Sequence, residues 1–240
     1  MFRTLTVAAA AGALTLASLG AVSPAFAASE TAPTPAPKVN KQSTLAQIQA
    51  AGATQTADRI TSLNTAVGKI TATTKLTSSD RATILGTLNA DLSAMKGLQS
   101  KIAADTDVAT AAADYRDIFT GYSVYAVALP QSYIAASADG LTGTAIPRLQ
   151  SAATKIAAAF AAHPSKVTPA MQAQLADMQA KTADAVSKTN GVAAAALAVT
   201  PAAYNANHSI LVQDRANTKT AIADAKAATQ DGKAILAALK

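Results

Sequence analysis

Tyrosine side chains are the groups of this chain best placed to form a binding site, because five of its nine aromatic residues fall between positions 105 and 133. At 100° per residue, most of these aromatic positions share one arc of about 120° on a helix. Phenol rings on one helix face can bury apolar area and offer hydroxyl groups to a ligand. Tyr115, Tyr122 and Tyr125 are therefore candidate ligand-binding residues. The alternative is that the rings fill a helical core and each hydroxyl group finds an acceptor within the protein.

A second polar group follows Pro201, where the sequence reads Tyr204-Asn205-Ala206-Asn207-His208. Asparagine is unfavourable inside a helix, so two asparagines beside a histidine require a reason. One hypothesis is that Asn207 and His208 contact a ligand together with the tyrosines. The alternative is a hydrogen-bonded network that fixes helix register, or a solvated first helical turn.

Two carboxylates, Asp114 and Asp117, lie within the tyrosine-rich stretch. Residues three apart share a helix face, so this pair could act as acid and base. Ion pairs with Arg116 or with a neighbouring helix are the alternative, and such exposed pairs contribute little to stability. Asp105 and Asp107 lack the glycine and the glutamate of a calcium loop, and are predicted to cap a helix.

Sequence signatures of enzymes are missing from the chain. It contains no G-x-S-x-G, Walker, Rossmann or H-E-x-x-H motif. The absence of cysteine excludes disulfides, thiolate metal ligands and thiol catalysis. Of its two histidines, His163 is expected to end a helix, where a cation meets the negative end of the helix dipole. We therefore assign no catalytic residue, no metal site and no cofactor, and favour a non-enzymatic protein over an enzyme.

The charge of the chain is modestly positive. Its 20 basic and 14 acidic residues give a formal net charge of +6. The lysines and arginines are scattered along the sequence and do not form a basic run. This pattern predicts solubility and weak attraction to polyanions, and it argues against a specific nucleic-acid site.

Residues 1–27 are typical of a secretory signal peptide. Arg3 gives the positive start, an uncharged apolar stretch follows, and Ala25 and Ala27 form the small-x-small cleavage pattern. We expect cleavage after Ala27; an uncleaved membrane anchor is the alternative. Residues 28–42 alternate proline with small residues, which predicts a disordered, extended spacer.

Residues 43–240 form the predicted helical domain. Alanine occurs 64 times in the whole chain, so large apolar residues are sparse, and they recur at spacings of three and four as in amphipathic helices. The predicted elements are a helix over 43–75, a second from Thr77 to about Ala104, a central helix from Asp105 that kinks or ends at Pro130, a corner over 134–146, a helix from Pro147 to about Ala162, and two helices that start at Thr168 and Thr200.

The predicted fold class is all-α. Long helices joined by short turns predict an elongated antiparallel bundle of five or six helices after the signal peptide and spacer. A division into two three-helix units near residues 137–147 is the alternative. The apolar run Val192–Val199 is too short to span a bilayer, so no transmembrane helix is expected in the mature chain. Oligomerisation remains open.

Three segments resemble a group of exported helical proteins from high-GC Gram-positive bacteria. They are LTSSDRATILGTLNADLSAMKGLQSKIAADTD, DYRDIFTGYSVYAVALPQ and TPAAYNANHSIL. The resemblance covers most of residues 43–215. It implies export and an all-helical fold, and because the group has no established activity it transfers no catalytic residue.

Two functional hypotheses follow from the sequence. The first is a secreted, non-enzymatic helical protein, free or attached to the cell wall, that acts through its surface on a partner in the cell envelope or outside the cell. The second is a small-molecule-binding bundle, in which a tyrosine-lined pocket lies near Pro130.

Overall fold

The computed structural model describes residues 43–239, and within this range every regular element is helical. The all-α prediction is therefore confirmed for this part of the chain. The predicted signal peptide, its cleavage residues Ala25 and Ala27, and the predicted spacer lie outside the described residues. No helix within residues 43–239 combines the length and the hydropathy that a membrane span requires.

The helices follow one another through short connections. The α-helices are α1 (Leu45–Ala72), α2 (Ser78–Ala104), α3 (Val108–Thr120), α4 (Leu129–Gly140), α5 (Ile146–Ala162), α6 (Pro169–Thr189), α7 (Val192–Leu197), α8 (Pro201–Ala206) and α9 (Val212–Ala238). Two π-helical segments precede α4 and α5; the first spans Val124–Ala128 and the second spans Leu141–Ala145. A 3-10 turn, Pro164–Lys166, follows α5.

Threonine and aspartate side chains begin several helices, as the sequence predicts. The Thr77 hydroxyl accepts a hydrogen bond from the Asp80 amide at 3.1 Å. Thr168 and Thr200 each precede a proline and accept the amide three residues on, at 3.2 and 3.1 Å. Asp107 caps α3 through the Thr110 amide at 2.9 Å. Each cap satisfies a backbone donor that has no partner within the helix.

The predicted central helix is wrong at one point, because the chain breaks after α3. Ser123 adopts the left-handed conformation, with φ 49° and ψ 42°. Its hydroxyl donates to the Phe119 carbonyl at 2.8 Å, which satisfies one of the carbonyls left open at the end of α3. The tyrosine-rich stretch is therefore divided between α3 and the helix that follows it.

The predicted corner over residues 134–146 is also wrong, since a helical path continues from the first π segment to the end of α5. The helix does not end at Pro130, which is the second residue of α4, and Pro147 is likewise the second residue of α5. Each π segment closes just before its proline, with the Leu129 amide donating to Val124 and the Ile146 amide to Leu141. A proline lacks an N–H and crowds the carbonyl one turn earlier, and the wider π turn accommodates this defect without ending the helix.

Two further breaks raise the number of helices above the predicted five or six. Gly191, with φ 72°, separates α6 from α7. The helix predicted to run on from Thr200 is interrupted between α8 and α9, where residues 208–211 form turns. Only glycine adopts a positive φ at little cost, so Gly191 marks the first of these breaks.

The core consists of two large clusters joined by a smaller one. The first lies among α1, α2, α3, the first π segment and α4 as far as Ala136, and the second among α5, α6, α9 and the second π segment. Along the continuous helix, the first cluster ends at Ala136 and the second begins at Leu141. The small cluster packs α4 against α7 and the segment that leads into α9. The core thus divides near residues 137–147, where the sequence offered a division into two units as the alternative. One helical path links both parts.

Candidate functional site

A buried arginine organises the aromatic residues of the first core. Arg59, in α1, is only 5% exposed. Its guanidinium carbon lies 4.7 Å from the ring centroid of Phe119 and 4.7 Å from that of Tyr125. Its Nη1 donates to the Gln55 carbonyl at 2.9 Å and to the Gln55 side-chain oxygen at 2.8 Å. The cation is thus stabilised by two π faces and by the hydrogen bonds that it donates to acceptors of its own helix.

Tyr115 and Tyr125 both belong to this arginine–aromatic cluster. Tyr115 is buried in α3, and its ring meets Phe119 edge to face, with centroids 5.2 Å apart. The hydroxyl of Tyr125, in the first π segment, lies 3.0 Å from the Ser62 hydroxyl of α1. Phe119, which lies against Arg59, and Tyr125, which lies against Ser62, therefore fasten α3 and the first π segment to α1.

The charge states in this cluster follow from burial. Burial lowers the pKa of the Arg59 guanidinium, and Tyr125, Tyr115 and Asp58 oppose that lowering. Burial also raises the pKa of Tyr115, which the positive charge of Arg59 opposes. Arginine ordinarily titrates far above neutrality, so the guanidinium is charged at pH 7, and the raised pKa of Tyr115 keeps that phenol neutral. A fixed charge beside a neutral ring suits packing.

Arg59 was not singled out by the sequence analysis, although a signal was present. It lies four residues before Leu63, seven before Ala66 and eleven before Ile70, all of which are buried. A charged residue at a core position of an amphipathic helix is rarely buried without partners. Its spacing could therefore have identified it, but not the two aromatic rings from distant parts of the chain that cover it.

Tyr122 lies at the break between α3 and the first π segment. It is half-buried and packs against the first core. The carbonyl of Thr120, at the end of α3, accepts a hydrogen bond from the side chain of Asn205 in α8 at 2.9 Å. The α8 segment is therefore held beside the same break.

Asn207 and His208, the other two candidate ligand-binding residues, are exposed in the turn after α8. The side-chain oxygen of Asn207 accepts from the Ser209 amide at 3.0 Å. The His208 ring stands edge to face on Tyr204, with centroids 4.9 Å apart. The structure thus brings α8 close to Tyr122, while these two side chains make contacts with their own segment.

One carboxylate of the predicted acid–base pair in α3, Asp114, forms an ion pair between helices. Asp114 is buried and accepts a hydrogen bond from Lys101 of α2 at 2.8 Å. This contact is the ion pair with a neighbouring helix that was the alternative to an acid–base role. The second oxygen of Asp114 and the Oδ2 of Asp105 are buried without a hydrogen-bond donor. Burial, followed by the nearby charge of Asp114, raises the pKa of Asp105. A raised pKa favours the protonated form of Asp105, which can donate a hydrogen bond to Asp114.

Charged side chains also link α6 to α9, along a line of contacts that we call the α6–α9 seam. Lys181 donates to Asp177 of its own helix and to Asp231 of α9, the latter at 3.0 Å. Burial raises the pKa of Asp224, to which a hydrogen bond with Asp184 across the seam also contributes. Within residues 43–239, no group of three or more histidine and carboxylate side chains is arranged to hold a metal ion.

Comparison with known proteins assigns no function to these features. No protein-family model, no curated protein and no solved structure matches the chain.

Proposed function

We propose that this chain is a secreted, non-enzymatic helical protein that acts through its surface in or near the cell envelope. The observation that carries the proposal is the N-terminal sequence, in which a signal-peptide pattern ending at Ala27 precedes a proline-rich segment and a helical body. The resemblance to exported helical proteins of high-GC Gram-positive bacteria supports the same assignment.

The interior of the helical body supports a role for the surface. Within the first core, Tyr115 packs on Phe119, and Tyr125 contacts both Arg59 and Ser62. Asp114 and Lys181 are engaged in ion pairs that link helices. Groups that could have formed a reactive centre thus hold helices together, which leaves the exposed faces as the means of recognition.

Export is tested by expressing the full chain in a high-GC Gram-positive host and sequencing the N-terminus of the product. We expect processing to leave Ala28 as the first residue. The variant Ala27→Arg should block processing, because the cleavage position requires a small side chain. Ala32→Arg, five residues further on, is the matched control and should be processed normally. Retention of the wild-type chain in the cytoplasm with Met1 intact would contradict the proposal.

The second candidate is a small-molecule site beside Pro130, favoured by the first π segment. Such segments often occur at functional sites, and this one carries Tyr125 and follows Tyr122. Ligand screening by thermal shift tests this candidate: Tyr122→Ala should abolish the shift of any true ligand, whereas Tyr204→Ala should preserve it. Equal shifts in both variants would exclude a site at this position.

A further inference from the structure

Charge is distributed unevenly between the two halves of the helical body. Residues 43–140 carry seven lysines and arginines against eight aspartates, whereas residues 141–239 carry nine against five. The second half therefore carries a net charge of +4, whereas the first half carries −1.

Most of the acidic groups of the second half lie along one seam. Asp177 and Asp231 bind Lys181, and Asp184 and Asp224 face each other between α6 and α9. The fifth, Asp214, is in the first turn of α9. The acidic groups of α6 and the later turns of α9 therefore compensate the lysines of the seam and not those on other faces.

The exposed lysines of α9 form a line on another face. Lys219, Lys226 and Lys233 are all exposed and recur every seven residues. Each lysine is therefore rotated about the helix axis by only about 20° from the previous one and lies roughly 10 Å further along the axis. Arg215, one turn earlier, is exposed on the same arc. Asp231, which binds α6, lies on the opposite flank of the helix, so the line of lysines points away from the α6 seam.

The neighbouring helix α5 has the same character. Arg148 and Lys155 are exposed and also seven residues apart, and Ile146–Ala162 contains no acidic residue. Helices α5 and α9 pack against each other in the second core. The second half of the helical body therefore presents exposed cations, spaced seven residues apart, on two adjacent helices.

We propose that the basic face, defined as Lys219, Lys226 and Lys233 with Arg215, binds a linear phosphate-rich polymer that lies along α9. This inference rests on the proposed function, since it names the chemistry of the envelope partner. A straight row of evenly spaced cations matches a chain of regularly repeated anions and releases the counterions of that chain on binding.

A lipid bilayer fits this face less well than a polymer. A helix that lies in a membrane interface alternates its cations with large apolar side chains. The residues exposed beside the lysines of α9 are instead small or polar, such as Ala223 and Gln230, and Val212 stands alone at the helix start. The face thus offers charge without an apolar surface for insertion.

The test measures binding of the mature chain, residues 28–240, to fluorescent inorganic polyphosphate by anisotropy over a range of NaCl concentrations. The variant carries Lys219→Gln, Lys226→Gln and Lys233→Gln; glutamine preserves helix propensity. The control carries Lys69→Gln, Lys75→Gln and Lys96→Gln, which removes the same charge from the first half. We expect the α9 variant to lose about ten-fold or more in affinity and to reduce the slope of log K against log salt by about 2, while the control changes affinity less than three-fold.

Three results would overturn the inference. They are no binding by the wild-type chain, equal losses in the two triple variants, and tighter binding to vesicles rich in phosphatidylglycerol than to polyphosphate. Because this assay uses purified mature protein, its outcome is independent of the processing experiment. Export without polymer binding would remove this inference and leave the proposed function standing. Polymer binding without export would establish the binding face and overturn the proposed function.

Discussion

At the scale of single residues, the most consequential group is a cation in the core. Arg59 replaces the apolar residue expected at its position of α1, and Phe119 and Tyr125 cover it. Desolvating a charge is costly, so a buried cation that loses its partners is destabilised, and the partners lose their interaction if the cation is removed. The arginine therefore ties the packing of three segments to one side chain.

Substitution of Arg59 should show how far the first core depends on it. Arg59→Ala leaves a cavity and deprives Gln55 and two rings of their partner, so we expect it to lower the free energy of unfolding by about 2–4 kcal/mol. Arg59→Met fills much of the space without a charge and should cost less. Urea denaturation measures both. Arg116→Ala, on the exposed side of α3, is the control and should stay within about 0.5 kcal/mol; an Arg59→Ala value in that range would refute the structural role.

The carboxyl groups of α2 and of the seams give stability a defined pH dependence. Burial raises the pKa of Asp91 to about 6, and burial also raises the pKa values of Asp105 and Asp224. A folded-state pKa above the unfolded value of about 3.9 stabilises the fold at low pH, and this contribution is lost as pH rises through the folded pKa. The free energy of unfolding contributed by Asp91 should therefore increase as pH falls from 7 towards 5.

The variant Asp91→Asn tests this dependence. It removes the titrating group, so the rise in stability between pH 7 and 5 should become smaller than in the wild-type chain. Urea denaturation at several pH values measures the change. Asp58→Asn, at an exposed site of α1, should keep the wild-type slope. A slope unchanged by Asp91→Asn would show that this carboxyl group is not responsible.

At the scale of elements, prolines and glycines act according to their context. Pro130 and Pro147 lie inside a continuous helical path because a π turn precedes each of them. Gly140 and Gly143 also lie inside this path, whereas Gly191 stops a helix through its positive φ. The same residue types thus mark a helix interior in one place and a helix end in another.

Two glycine substitutions should have opposite effects on stability. Gly191→Ala forces a Cβ into the left-handed region, so we expect a loss of about 1 kcal/mol. Gly68→Ala, at an exposed position inside α1 where an added Cβ meets nothing within 4 Å, should gain about 0.5–1 kcal/mol. Chemical denaturation distinguishes the two, and effects of the same sign would contradict the backbone assignment of one of them.

At the scale of the whole molecule, one helical path joins two separately packed cores. The first core ends at Ala136 and the second begins at Leu141, with the smaller cluster packed between α4 and α7. Alanine is frequent among the buried residues, and the largest fully buried side chains include Leu63 in the first core and Met178 in the second.

A destabilising substitution in one core should therefore increase local opening mainly in the helices of that core. Leu63→Ala removes a fully buried side chain from the first core and should cost about 2–5 kcal/mol there. Hydrogen exchange should then accelerate more in α1–α3 than in α6 and α9, and Met178→Ala should give the reverse pattern. Uniform acceleration along the whole chain in both variants would show that the two cores open as one unit.

Local sequence determined much of this architecture. Apolar spacing predicted the helical class, and threonines and aspartates predicted helix starts at Thr77, Asp107, Thr168 and Thr200, because a cap is formed by atoms within three residues of one another. The charge totals and the absence of cysteine likewise required no structure.

Only the tertiary structure decided what depends on distant segments. The two rings that cover Arg59 come from residues 60 or more positions away, and the division of the core near residues 137–140 depends on which helices pack there. The break at Ser123 and the continuous helix through Gly140 reverse what local propensity predicted. Propensities differ by about 1 kcal/mol per residue, and burial against neighbouring helices outweighs such differences.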